Sequence, residues 1–142
     1  MTDDNPVYAR QIATRPDPLA PYRISQAFRV GNLVITSGQA AINSHGELVG
    51  VGDFAAQAQQ VFRNLADVLE AGGSSLAQVV KVTIYLTDMS HFPDVVELRR
   101  QYFTPPYPAD TIVEVRALAL PELMIEIEAI ALVGSIPEVA AG

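Results

Sequence analysis

An α+β fold is predicted by three features of the sequence. Two stretches carry apolar residues at helical spacing, five alternate like strands, and the two kinds interleave in the order β-β-α-β-α-β-β. That order lets both helices cover one face of a mixed sheet. The 142 residues suit one domain, since single cores usually run ~100–200 residues. A chain of this size buries ~68–70% of its unfolded surface, so its core needs neither a crosslink nor a metal. Residues 1–142 are therefore read as one domain, with an extended arm over 1–20 and a loose tail over 134–142.

Pro6, Pro16, Pro18 and Pro21 make the first segment extended rather than helical. Stretches 23–30 and 33–37 flank Gly31-Asn32, a two-residue turn signal, and predict a hairpin. A second turn signal stands at Asn43-Ser44-His45-Gly46. Over 53–71, Phe54, Ala58, Val61, Phe62, Leu65, Val68 and Leu69 form one stripe at helical period. Asp53 is placed to cap that helix and Gly72-Gly73 to stop it. A strand follows over 79–86, with Val80, Val82, Ile84 and Leu86 on its dry face. The spacing of Phe92, Val95, Val96, Tyr102 and Phe103 predicts a second helix over 90–103, capped by Ser90 and ended by Pro105-Pro106. The last strands, 111–118 and 124–132, are separated by a turn at Pro121-Glu122.

In the final strand Ile125, Ile127 and Ala129 point one way and Glu126 and Glu128 the other, while Ile112, Glu114 and Arg116 share a face of the strand before. A sheet face mixing apolar and ionisable residues is expected to be closed by another subunit, with charges paired across strands.

Composition removes several function classes. Nine basic against 16 acidic residues give a net charge of −7, which repels phosphate backbones, so no nucleic-acid partner is expected. With no cysteine there is no disulfide, thiolate nucleophile or zinc knuckle. The segment Met1 to Pro6 lacks a basic start and an apolar stretch, and no apolar run approaches the ~18 residues of a membrane span. A soluble cytoplasmic protein, with no membrane partner, is the expectation. The glycines form no phosphate-binding pattern, and His45 and His91 have no metal-ligand spacing and are expected to be solvated. Neither metal nor cofactor is expected. Ser37 has no His or Lys in motif context, so it is assigned a hydrogen-bonding or turn role rather than that of a nucleophile.

Five segments in register carry a resemblance: Ala20-Pro21-Tyr22, the stretch 33–39 ending in Thr36-Ser37-Gly38-Gln39, and the stretches 57–65, 79–88 and 125–131. Together they span most of the chain, from about Pro21 to Leu132, and the chain resembles the Rid family, the reactive-intermediate deaminases of RidA/YjgF type. The resemblance implies a chorismate-mutase-like subunit, a homotrimer packed sheet to sheet, and small-molecule pockets between subunits. It also implies cofactor-free hydrolysis of enamines and imines, such as those released by pyridoxal-phosphate enzymes, to a keto acid and ammonia. A positioned acid/base and a small polar cradle suffice for that chemistry.

Matched position by position, the family's site tyrosine falls on Tyr22, its serine and glycine on Ser37 and Gly38, and its water-holding glutamate on Glu126. Two positions depart. The pocket asparagine of the second helix falls on Val96, and the arginine that binds a substrate carboxylate falls on Asp110. Ile112, on the same strand as Asp110, completes the substrate-binding candidates. Arginine binds carboxylate through a two-pronged charged hydrogen bond that few side chains replace. Aspartate there is expected to repel, by roughly 4 kcal/mol at ~4 Å and an effective dielectric of ~20. Arg99, Arg100 and Arg116 are the arginines available to restore the charge.

Alternatives stay open at these positions. Asp110 is either a turn residue after Pro108 or half of a carboxylate pair with Glu126 that splits their pKa values into an acid and a base. Glu126 is alternatively a cross-strand partner of Arg116, and Tyr22 a packing aromatic. Three function classes follow: a hydrolase of enamines or imines other than the usual 2-imino acids, a relative catalysing another proton transfer such as isomerisation or cyclisation, and a ligand-binding trimer without turnover. A ribonuclease activity, a label some relatives carry, ranks below these because of the charge.

Overall fold

The helix predicted over 53–71 forms as α1 (Phe54–Ala71) in the computed structural model, which describes residues 8–140. Its start is fixed as the sequence implies, with the Asp53 carboxylate accepting the Ala56 N–H at 3.0 Å. At its end the Gly72 N–H returns to the carbonyls of Val68 and Leu69. A Cβ on Gly72 would lie 2.7 Å from Ile12 Cδ1 and 2.9 Å from Val34 Cγ2, so only glycine lets this helix end touch the sheet. The buried stripe lies against a six-stranded sheet, and burial of Leu65 and Leu69, both fully enclosed, contributes about 1.5–3 kcal/mol each.

The strands are β1 (Ala9–Ile12), β2 (Ala27–Val30), β3 (Leu33–Thr36), β4 (Val79–Leu86), β5 (Ala109–Glu114) and β6 (Ile125–Leu132), in sheet order β1-β2-β3-β6-β4-β5. Only β4 and β5 run parallel. The second helix, α2 (Phe92–Tyr102), joins α1 through Phe62, which stacks on Tyr102 with centroids 4.2 Å apart and meets Phe103 edge-on at 5.7 Å. Both helices lie on one face, as the α+β reading requires, and no described helix is long and apolar enough to cross a membrane.

Four local expectations need correction. The arm is not only extended: β1 pairs with β2 and buries Ile12, because four residues of edge pairing satisfy backbone groups without a long alternating signal. Ser90 does not cap α2. A 3₁₀ turn at Met89–His91 precedes the helix, and Asp88 accepts the Ser90 N–H at 2.9 Å. His91 is not freely solvated, since its ring stacks on Phe54 at 3.9 Å and its Nδ1 sits 3.0 Å from Asp94. Finally, the strand predicted over 111–118 is shifted to β5, which leaves Arg116 beyond its end. Ile112 lies opposite Ile84 on the helix side, and Glu114 there accepts the Met89 N–H at 2.9 Å.

The turn at Pro121-Glu122 therefore does not close a hairpin, because β4 stands between β5 and β6. The face of the sheet away from the helices carries Glu126, Glu128, Tyr85 and Lys81 beside Phe28, Ile35 and Val113, which stay 40%, 43% and 37% exposed. At the far end, Ile136 and Val139 are exposed, and the Ser135 carbonyl accepts from the Gln78 amide at 2.8 Å. The expectations for residues 1–7 and 141–142, including the reading of the first six residues, lie outside the described residues.

Candidate active site

Alternation along β6 turns Ile125 and Ile127 into the core and leaves Glu126 on the open face. Beyond β3 the chain stays beside β6, with Gln39 and Ile127 exchanging both backbone hydrogen bonds at 2.8 and 3.0 Å. This brings Gly38 against the Glu126 carboxyl. A Cβ on Gly38 would stand 2.7 Å from Glu126 Cδ and 2.8 Å from Oε2, so the missing side chain is what makes room. Ser37 fixes the approach, its N–H on the Gln26 carbonyl at 2.8 Å and its hydroxyl donating to the Ser25 carbonyl.

These residues floor a cavity of about 460 Å³. Leu19, Ile24, Leu120 and Leu123 make its walls apolar, and Tyr22, 57% exposed on a one-turn 3₁₀ helix, stands at its rim rather than packing inside. Two amides of α1 hold the loops around it. Asn64 donates to the carbonyls of Ala40 at 2.9 Å and Ile42 at 2.7 Å. Gln57, fully buried, donates to Gly50 and Glu122 and accepts the Met124 N–H, at 3.1, 2.8 and 2.8 Å.

Burial raises the pKa of Glu126 above the ordinary carboxyl range, and the neighbouring Glu128 charge adds to the rise. Glu128 in turn accepts the Tyr85 hydroxyl, and that bond is the main reason the phenol also titrates high. Among the described residues, no salt bridge involves Glu126. The alternative reading of Glu126 as a partner of Arg116 does not hold, since Tyr85 of β4 is its cross-strand neighbour and Arg116 lies beyond the end of β5.

A second, open depression of about 610 Å³ collects Val96, Asp110 and Ile112 with Arg99, Phe103 and Tyr107. Here Arg99 grips Asp110 side-on, Nε to Oδ2 and Nη2 to Oδ1, both at 2.9 Å. The sequence-predicted residues thus split into two groups: Tyr22, Ser37, Gly38 and Glu126 in the cavity, Val96, Asp110 and Ile112 in the depression. Asp110 stands opposite Val82 and Glu126 opposite Tyr85. Residues three apart on β4 face opposite sides of the sheet, so within one chain Asp110 and Glu126 form no carboxylate pair. The unscreened repulsion expected of Asp110 is also corrected, because its charge is matched by Arg99. Among the described residues, no cluster of three or more His, Asp or Glu is arranged to hold a metal.

The family model described as Endoribonuclease L-PSP matches residues 12–133. The chain belongs to this family, the Rid (RidA/YjgF) family. It is 44% identical over 117 residues to a RutC family protein of Pyrococcus horikoshii, covering 82% of this chain and 90% of that one. It is 38% identical over 123 residues to the human 2-iminobutanoate/2-iminopropanoate deaminase, covering 86% and 87%. The crystal structure of RidA from an Antarctic Psychrobacter superposes with a TM-score of 0.79 at 40% identity, covering 87% of this chain and 99% of that one. The α+β architecture is thus the Rid fold.

Within this Rid fold, three groups went unread in the sequence. Gln57 had a signal, a polar residue inside the apolar stripe of α1. Asn64 and Tyr85 had none, because their partners are distant carbonyls and a carboxylate on other elements.

Proposed function

We propose that this Rid family member hydrolyses a reactive enamine or imine, other than the usual 2-imino acids, to a carbonyl compound and ammonia. The observation that carries the reading is Glu126, a carboxyl of raised pKa floored against Gly38 in an apolar cavity. A carboxyl that is easily protonated can donate its proton to the enamine carbon, giving an iminium. As the carboxylate it then takes a proton from water, whose oxygen adds to the C=N carbon. Passing that proton to nitrogen lets ammonia leave as the C–N bond breaks, and the hydroxyl proton left on oxygen returns to the Glu126 carboxylate as the C=O forms, so enamine plus water becomes ketone plus ammonia with the acid restored. The apolar walls exclude competing water, and Tyr22 and Ser37 lie close enough to orient the ligand.

The exclusion of 2-imino acids rests on the Asp110–Arg99 pair: Asp110 stands where the family's carboxylate-binding arginine is expected and takes up the charge of Arg99, so this pair offers a carboxylate no net positive charge. The division of the site residues into two half-sites, with a partly apolar sheet face left open between subunits, supports a homotrimer whose pockets join the cavity of one copy to the depression of the next. The net charge of −7 weighs against an RNA substrate despite the family description. A second reading, isomerisation or cyclisation without loss of ammonia, is favoured by the same Asp110 departure and uses the same proton transfers. Ammonia release from enamines generated in the assay, by the parent and by Glu126→Gln, tests the proposal. The expected result is release by the parent and a loss of at least 100-fold in the variant; equal rates remove Glu126 from the chemistry.

A further inference from the structure

Resting on the reading that the depression forms part of the ligand pocket, we infer that Arg99 is its specificity-determining residue and selects a neutral carbonyl acceptor, such as an amide, over a carboxylate. Arg99 is fixed on two sides. Asp110 holds its Nε and Nη2 at 2.9 Å, and its guanidinium carbon lies 5.7 Å from the centroid of the Phe92 ring. Its side chain keeps 23% exposure, and that of Asp110 keeps 18%, so the pair lines the depression rather than standing in bulk water.

A guanidinium has five N–H donors. The side-on grip uses two, so three remain on the outer edge. Val96, Phe103, Pro108 and Ile112 line the same depression and give it an apolar lining around its polar groups, which besides the Arg99–Asp110 pair are Arg100 and Tyr107.

Charge decides what this edge accepts. Arg99 is neutralised by Asp110, and Arg100, the next arginine on α2, is neutralised by Glu97. A carboxylate arriving here meets donors but no net positive charge, and approaches Asp110 as it docks. A neutral carbonyl oxygen takes the same hydrogen bonds without that repulsion. An unpaired arginine would favour the opposite order. The aspartate thus converts an anion seat into a seat for an uncharged acceptor, and an enamine or imine bearing an amide is the substrate class that fits.

Binding of pyruvate and of pyruvamide, stable keto analogues of nearly the same size of which only the first is charged, tests the inference by calorimetry on the assembled protein. The parent is expected to bind pyruvamide at least tenfold more tightly than pyruvate. Asp110→Asn keeps the size, removes the negative charge together with one acceptor of the grip, and is expected to tighten pyruvate about tenfold. Arg99→Gln is expected to weaken pyruvamide at least tenfold. Pyruvate bound as tightly as pyruvamide by the parent, an unchanged pyruvate affinity in Asp110→Asn, or no binding of either analogue overturns the inference. These readouts do not involve turnover, so a failure of Glu126→Gln to slow ammonia release would refute the hydrolytic reading separately.

Discussion

Replacing Gly38 by alanine isolates the geometry on which the proposed chemistry depends. The new methyl would sit 2.7 Å from Glu126 Cδ, short of an ordinary 3.4 Å contact by 0.7 Å, so the carboxyl must move by at least that much. A misplacement of about 1 Å costs on the order of 100-fold in rate, equivalent to about 2.7 kcal/mol of activation free energy. The backbone of Gly38 lies outside the left-handed region, so alanine adds no φ strain, and the atom displaced is the end of a side chain beside a cavity. Stability should therefore change by only about 1 kcal/mol, a shift of a few degrees in Tm. The assay is kcat/KM for ammonia release alongside thermal unfolding. If the methyl acts through Glu126, Gly38→Ala combined with Glu126→Gln should be no slower than Glu126→Gln alone. Gly38→Ala within threefold of the parent, or losses that multiply in the double variant, would refute the reasoning.

Two further outcomes follow from the same site. Because the folded-state pKa of Glu126 is raised, the stability linked to its protonation is complete below the ordinary value near 4.5 and is lost as pH rises through the folded value. Glu126→Gln should therefore gain Tm relative to the parent as pH rises from 4 to 8; a gap that moves the other way contradicts the burial argument. On the open sheet face, Ile35→Glu places a charge among Phe28 and Ile130 and should dissociate the proposed trimer and abolish ammonia release. Size-exclusion with light scattering checks it, and a variant that stays assembled and active shows that this face is not the interface.

Much of the fold was legible because its signals are local. The stripe from Phe54 to Leu69, the Asp53 cap, the Gly72 stop and the alternation from Val82 to Leu86 each depend on neighbours a few residues away, and each appears in the structure; at the start of β4 a register shift buries Val79 in place of the expected Val80. Strand β1 and the limits of β5 were not legible, because edge strands are defined by the partner they pair with. The site was legible as a set of residues but not as an arrangement. In the sequence Asp110 is a bare charge, yet its partner is eleven residues away on α2, one of three arginines among which sequence does not choose.

Residue order alone fixed the alternation that puts Glu126 on the opposite side from Ile125 and Ile127, and the glycine that leaves space for its carboxyl. Those are properties of backbone period and side-chain size, which any strand in that register expresses. The tertiary structure alone decided that β4 separates β5 from β6, that Glu126 and Asp110 face different sides of the sheet, and that Asp110 is neutralised by Arg99. The electrostatic character of an ionisable side chain depends on the charges within a few ångströms of it, and those neighbours are set by how distant segments pack.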